Sequence, residues 1–202
     1  YDESLRNQIL EEQRITNEMN NALLSGQFVA YYQPKFDLAT EKTIGAEALV
    51  RWVHPERGII PPDKFIPLFE KNGFITSLDY YMWEEACKQI RRWIDLGHNP
   101  IPISVNISRV DIYNTLLCEM LDGLVKKYDI APELLELEIT ESAYTENAEQ
   151  MIATVSKLKE LGFVVGMDDF GSGYSSLNML NELPIDVLML DMRFIQNAGL
   201  DK

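Results

Sequence analysis

The chain switches between two hydrophobic periods, and the points where one gives way to the other predict its elements. After Gly26, residues 28–32 and again 46–52 have strand character. Only about a dozen residues separate them, too few for a crossover helix, so they are expected to form an antiparallel pair turning near residues 39–42. Strand and helix alternate from there. A helix over 77–93 has Ser77 as its N-cap and Met82, Ala86, Ile90 and Trp93 inward; residues 101–106 are a strand and 116–128 a helix. Residues 134–140 are a strand, 147–161 a helix with Met151, Ile152, Val155 and Leu158 on its apolar face, and 163–168 a strand. A short helix over 175–183 leads to the sixth strand, 187–191. Ahead of all this, residues 3–24 read as a polar helix with a sparse stripe of Leu5, Ile9, Met19 and Leu23, interrupted by Glu12 and Thr16.

Strands that recur roughly every 25 to 35 residues with helices between them predict a parallel α/β barrel or a doubly wound sheet. Polar residues separate the two. Side chains alternate along a strand, so Glu47 shares a face with Leu49 and Arg51, Asn106 with Ser104, and Glu138 with Glu136 and Thr140. The other parity, Leu135, Leu137 and Ile139, suits packing against helices. The carboxylates then point toward a barrel axis, near the carboxyl-terminal mouth where barrel enzymes carry their chemistry. Asp168 and Asp169 end the fifth strand before the loop Gly171-Ser172-Gly173. A closed barrel needs two strands beyond the sixth, and the sequence stops at Lys202 before either.

Composition narrows the chemistry. A net charge of −14 repels polymeric nucleic acid, so an anionic substrate needs local cations. Oxygen donors from successive strand ends suit magnesium or manganese, whereas the two histidines, His54 and His98, sit beside a proline or in a loop and offer no zinc set. Two such cations are a standard device for hydrolysing a phosphodiester. Each piece also has a plain reading: Asp168 and Asp169 as turn and cap residues, Glu47 and Arg51 as a surface pair, Asn106 as a cap, the acids at 136, 138 and 141 as a solvated edge. Their coincidence at one end of consecutive buried strands weakens all of these together. Cys87 and Cys118, in helical patterns without metal-ligand spacing, read as reduced core thiols. No window is apolar enough for a membrane span and the first residues do not resemble a signal peptide, so a cytoplasmic location is expected. The start at Tyr1 predicts a piece of a longer protein.

Five segments carry a resemblance: Tyr32-Gln33-Pro34-Lys35; Glu47-Ala48-Leu49-Val50-Arg51-Trp52; Ser104-Val105-Asn106-Ile107-Ser108; Glu138-Ile139-Thr140-Glu141-Ser142; and Asp168 through Ser176. In this order they resemble the signature blocks of the EAL domain, a cyclic-di-GMP-specific phosphodiesterase family. The resemblance implies a modified (β/α)8 TIM-like barrel with an antiparallel first strand, the last two strands being absent here. It implies hydrolysis of cyclic di-GMP to the linear dinucleotide with Mg2+ or Mn2+, held by Glu47, Asn106, Glu138, Asp168 and Asp169. Glu141 would hold the loop from Asp168 to Ser176 in place, a role the family links to dimerisation, and Gln33 and Arg51 would contact the nucleotide, Arg51 through phosphate. It also implies residues 1–26 as a linker from an upstream GGDEF-like domain, 27–202 as the EAL domain, and a homodimer formed near the rim, where the antiparallel first pair and the loop from Asp169 to Ser176 are expected to leave Phe170 and Tyr174 as apolar surface.

Two departures stand against full activity. The family's sixth strand carries a lysine that contacts the attacking water, and the aligned residue is Met189, whose thioether offers no charged donor. The family's seventh strand supplies a further glutamate, which this chain does not reach. The alternative reading is a degenerate EAL domain acting as a cyclic-di-GMP receptor or protein-interaction module. An unrelated magnesium-dependent barrel enzyme would explain the acids but not the five blocks.

Overall fold

A computed structural model describes residues 3–144, 147–171 and 177–191. Helix α1 (Glu3–Leu24) precedes β1 (Phe28–Phe36), and β2 (Thr43–His54) folds back on it antiparallel, with Gln33 opposite Glu47 and Lys35 opposite Gly45. Asp37 makes the turn: its carboxylate accepts from the backbone N–H and the hydroxyl of Thr40. A short strand β3 (Gly58–Ile60) pairs with the end of β2, and α2 (Pro62–Asn72) and α3 (Ile75–Asp95) follow. The remaining strands alternate with helices: β4 (Ile103–Ile107), α4 (Arg109–Ile112), α5 (Leu117–Lys127), β5 (Leu135–Thr140), α6 (Glu141–Tyr144), α7 (Ala148–Glu160), β6 (Val165–Phe170), α8 (Leu177–Glu182) and β7 (Val187–Leu190).

The strands run in the order β1-β2-β4-β5-β6-β7, parallel from β2 onward. Among the described residues β1 and β7 do not pair, so the sheet is an open part of a barrel. The predicted sixth strand is β7, because β3 lay in a stretch where no element was expected.

Three further expectations change. Helix α3 begins at Ile75 with Phe74 at the N-cap position and no side-chain cap, and the Ser77 N–H bonds the Phe74 carbonyl within the first turn. Helix α1 buries Ile15 and Ala22; of the expected stripe Met19 and Leu23 pack against the same core, while Leu5 and Ile9 are exposed. Phe170, expected as rim surface, is buried in the main core, since β6 and β7 remain paired at Phe170 and Leu190.

Period-2 alternation divides the sheet into two faces. Ile103, Val105, Leu135, Leu137, Val165 and Met167 are buried against α3, α5 and α7, and fully burying each such side chain contributes about 1.5–3 kcal/mol. Cys87 and Cys118 lie in this layer as buried thiols, Cys87 pushed up to about 12 mainly by burial. A second core, built on Phe28, Trp52, Phe65 and Phe69, seats α1 through Ile15. The inner face is left for polar residues.

Candidate active site

Pairing across the sheet fixes which polar residues share the inner face. Glu47 lies opposite Ser104, which lies opposite Glu136; Asn106 lies opposite Glu138, which lies opposite Gly166; Thr140 lies opposite Asp168. Partners across a ladder project to the same side. The sequence-predicted Gln33, Glu47, Arg51, Asn106, Glu138 and Asp168 therefore project from one face of five neighbouring strands.

Contacts between them are few and charged. The Asn106 amide Nδ2 lies 3.4 Å from Glu47 Oε1, and the Trp83 indole N–H donates to the Asn106 carbonyl at 3.0 Å. Glu138 is 2% exposed; its Oε1 accepts from the Lys35 ammonium at 2.6 Å, and its Oε2 is buried with no hydrogen-bond partner among the described residues. The same ammonium lies 3.8 Å from Glu136 Oε2. Burial raises the carboxyl of Glu47, the charges of Glu138 and Asp168 add to the rise, and the Asn106 amide and Lys35 oppose it. Burial likewise raises Glu136. Among the described residues no three His, Cys, Asp or Glu side chains are gathered closely enough to hold an ion as they stand. Like charges spread apart and Lys35 occupies one oxygen of Glu138. A buried carboxylate oxygen lacking a partner beside Asn106 is nevertheless the kind of donor a hard cation satisfies.

Asp168 and Asp169 sit on a bulge. The β6–β7 register shifts between Met167 and Phe170, Asp169 takes a left-handed φ of 56°, and its N–H donates to Asp168 Oδ1 at 2.8 Å. Aspartate tolerates this conformation better than most residues, and bulges beside active sites re-aim side chains. Beyond the bulge the Gly171 N–H donates to Glu141 Oε2 at 3.0 Å, joining the end of β6 to α6. Residues 172–176 of the expected loop lie outside the described residues. Met189 stands on the inner face: its methyl carbon is 3.3 Å from where a Cβ on Gly166 would lie, so Gly166 leaves it room.

Sequence reasoning passed over two groups. Lys35 is one; its alternation with Gln33 on β1 was the available signal. The other is Asp79, an acid on the apolar face of α3 with Met82 and Trp83. Asp79 accepts from the Ser108 N–H at 3.0 Å and hydrogen-bonds Asp111, whose own carboxylate accepts from the Ser108 hydroxyl at 2.7 Å. Burial first, then the Asp111 charge, raises the Asp79 carboxyl well above its ordinary value. A cavity of about 280 Å³ opens here, lined by Leu49, Arg51, Asp79, Asn106, Arg109 and Thr140 among others.

Known proteins are similar to this chain in sequence and in fold. The chain is 35% identical over 201 residues to the bifunctional diguanylate cyclase/cyclic di-GMP phosphodiesterase MucR of Pseudomonas aeruginosa, covering 100% of this chain and 29% of that protein. It is 37% identical over 187 residues to the cyclic di-GMP phosphodiesterase NbdA of the same organism, covering 93% of this chain and 24% of the relative. It thus spans less than a third of either relative. Among solved structures, the PaMucR phosphodiesterase in its c-di-GMP complex aligns with a TM-score of 0.86 at 36% identity, over 93% of this chain and 76% of that one. An EAL domain protein from Listeria monocytogenes EGD-e aligns at 0.75 and 34% identity, over 93% and 72%. EAL phosphodiesterases are generally metal-dependent, and their domains have a TIM-barrel-like fold. The model of the EAL domain matches residues 16–202, and the chain belongs to that family.

Proposed function

We propose that the inner face of β2, β4, β5 and β6 binds Mg2+ or Mn2+ together with cyclic di-GMP and hydrolyses the dinucleotide to its linear form, slowed by Met189. The observation that carries this reading is Glu138, a buried carboxylate with one unpartnered oxygen, set between Asn106 and the strand of Asp168. Glu47, Asn106, Glu138, Asp168 and Asp169 would hold the metal, two ions being the family expectation. When bound, such cations activate water and offset charge on the attacking and leaving oxygens of a phosphodiester. The chain's own groups orient the substrate. Arg51 lines the 280 Å³ cavity, and its guanidinium fork suits a phosphate oxygen pair beside a base held in that cavity. Gln33 faces the site from β1, and Glu141 restrains the backbone after Asp169 through Gly171.

Met189 supports the second reading, a cyclic-di-GMP receptor. A thioether on the inner face cannot hold the attacking water as the family lysine does. Loss of such a contact costs about 2.7 to 4 kcal/mol, or roughly a hundredfold to a thousandfold in rate. The test is Met189→Lys in the full-length protein, assayed for linear dinucleotide with Mn2+. A gain of that order supports an enzyme limited by this residue; equal and brisk turnover by both forms refutes the limitation; no turnover by either, with binding retained, favours the receptor.

The parent context is part of the same proposal: a linker over residues 1–26, an upstream GGDEF-like domain as the bifunctional name of MucR suggests, a cytoplasmic location and a homodimer. Self-association draws on the family resemblance alone, because Phe170 is in the core. Sedimentation of the full-length protein that finds only monomer at high concentration removes it.

A further inference from the structure

The antiparallel first strand brings a cation to the floor of the acidic face. Lys35, near the end of β1, pairs with Gly45, and the next residue of β2, Ala46, pairs with Ile103. Lys35 therefore starts one step below the first paired residues of the parallel strands. Its stem passes beside Gly45, its Cδ lying 4.0 Å from where a Cβ would stand, an ordinary contact; the tight neighbour of such a Cβ would be the Pro102 carbonyl oxygen at 3.2 Å. The ammonium ends 2.6 Å from Glu138 Oε1 and 3.8 Å from Glu136 Oε2. It meets Glu138 through one oxygen only. The other, Oε2, is buried and has no partner among the described residues.

We infer that Lys35 is a positioning residue for Glu138: its ammonium anchors one carboxylate oxygen and thereby presents the other to the divalent cation. The inference rests on the metal-site reading above. An acid buried to 2% exposure near Glu136 and within the field of Glu47 needs a fixed counter-charge to stay in one rotamer. Lys35 supplies it at charge-assisted distance, and it comes from a strand that carries none of the expected metal ligands. Outer partners of this kind hold a ligand's geometry, and their loss typically weakens metal binding by about 10- to 100-fold. A cation taken by Oε2 would meet the oxygen that Lys35 leaves unpaired, with the charge of Glu138 offsetting part of the repulsion from the ammonium.

The experiment is Mn2+ titration calorimetry on the full-length protein as wild type, Lys35→Met, Lys35→Gln and Lys35→Arg, with melting curves to establish that each is folded. The expected result is a Mn2+ affinity lower by about 10- to 100-fold in Lys35→Met, with most of it recovered in Lys35→Arg, which restores a cation but not the lysine shape. Lys35→Gln, which keeps a donor without charge, should fall between them and replaces the methionine variant if that one does not fold. Wild-type binding with undiminished or tighter binding in the folded methionine or glutamine variant overturns the role of Lys35 and leaves the site standing. Absence of Mn2+ binding by the wild type overturns the site itself, and Lys35 with it.

Discussion

Asp79 and Asp111 meet within hydrogen-bonding reach of Ser108, two residues past Asn106, and together they fix the exit of β4. Because the folded value of Asp79 lies above its ordinary 3.8, the folded chain keeps a proton that the unfolded chain releases. That contribution is complete below about 3.8 and is lost as pH climbs through the raised folded value. Asn at 79 carries a permanent neutral equivalent, able to accept from Ser108 and donate to Asp111. The melting temperature of Asp79→Asn relative to wild type should therefore rise as pH increases from about 4 toward neutrality. A difference that stays flat or shrinks over that range contradicts the shared proton. Neither this pair nor Lys35–Glu138 was legible beforehand. Each joins residues far apart in sequence, 103 positions for the lysine pair, and no local period reports such a meeting. Glu47, Asn106, Glu138 and Asp168 were legible, since strand parity alone fixes the face from which each projects.

Among the elements, the strands follow the alternating and β-branched runs that predict them, and Asn147 caps its helix as the sequence predicts, its side chain accepting from the Gln150 N–H. The stretch holding β3 and α2 was missed for a physical reason. Three residues cannot display a period, and α2 carries Pro67 inside the helix, which removes a backbone donor and reads as a break. Helix α1 carries the expected stripe only in its second half, where Met19 and Leu23 pack against the aromatic core, while Leu5 and Ile9 are exposed. Its apolar residues are too sparse to define one stripe, so the face is chosen by the aromatic core onto which Ile15 docks. Urea unfolding should separate the two faces. Ile15→Ala should cost about 2–5 kcal/mol as a cavity in that core, and Leu5→Ala no more than about 0.5 kcal/mol as an exposed change. Similar losses at both positions would restore the stripe that the periodicity favoured.

For the whole molecule, whose net charge is −14, Glu47, Glu136, Glu138 and Asp168 project from the inner face of consecutive strands, and two arginines, Arg51 and Arg109, line the adjoining cavity. That division of charge suits a divalent cation bridging the protein to an anionic dinucleotide. The most direct measurement is thermal melting of the full-length protein with and without Mn2+, for wild type and Glu138→Gln. Binding only to the folded state stabilises by about 2.7 kcal/mol at a hundredfold excess over Kd. For a domain of roughly 200 residues each kcal/mol raises the Tm of its own transition by about 2–4 °C. The expected result is a rise of about 5–10 °C in the wild type that largely disappears in Glu138→Gln, whose amide has lost the charge the cation needs. An unchanged wild-type Tm at saturating Mn2+, or an equal rise in a folded Glu138→Gln, would contradict it.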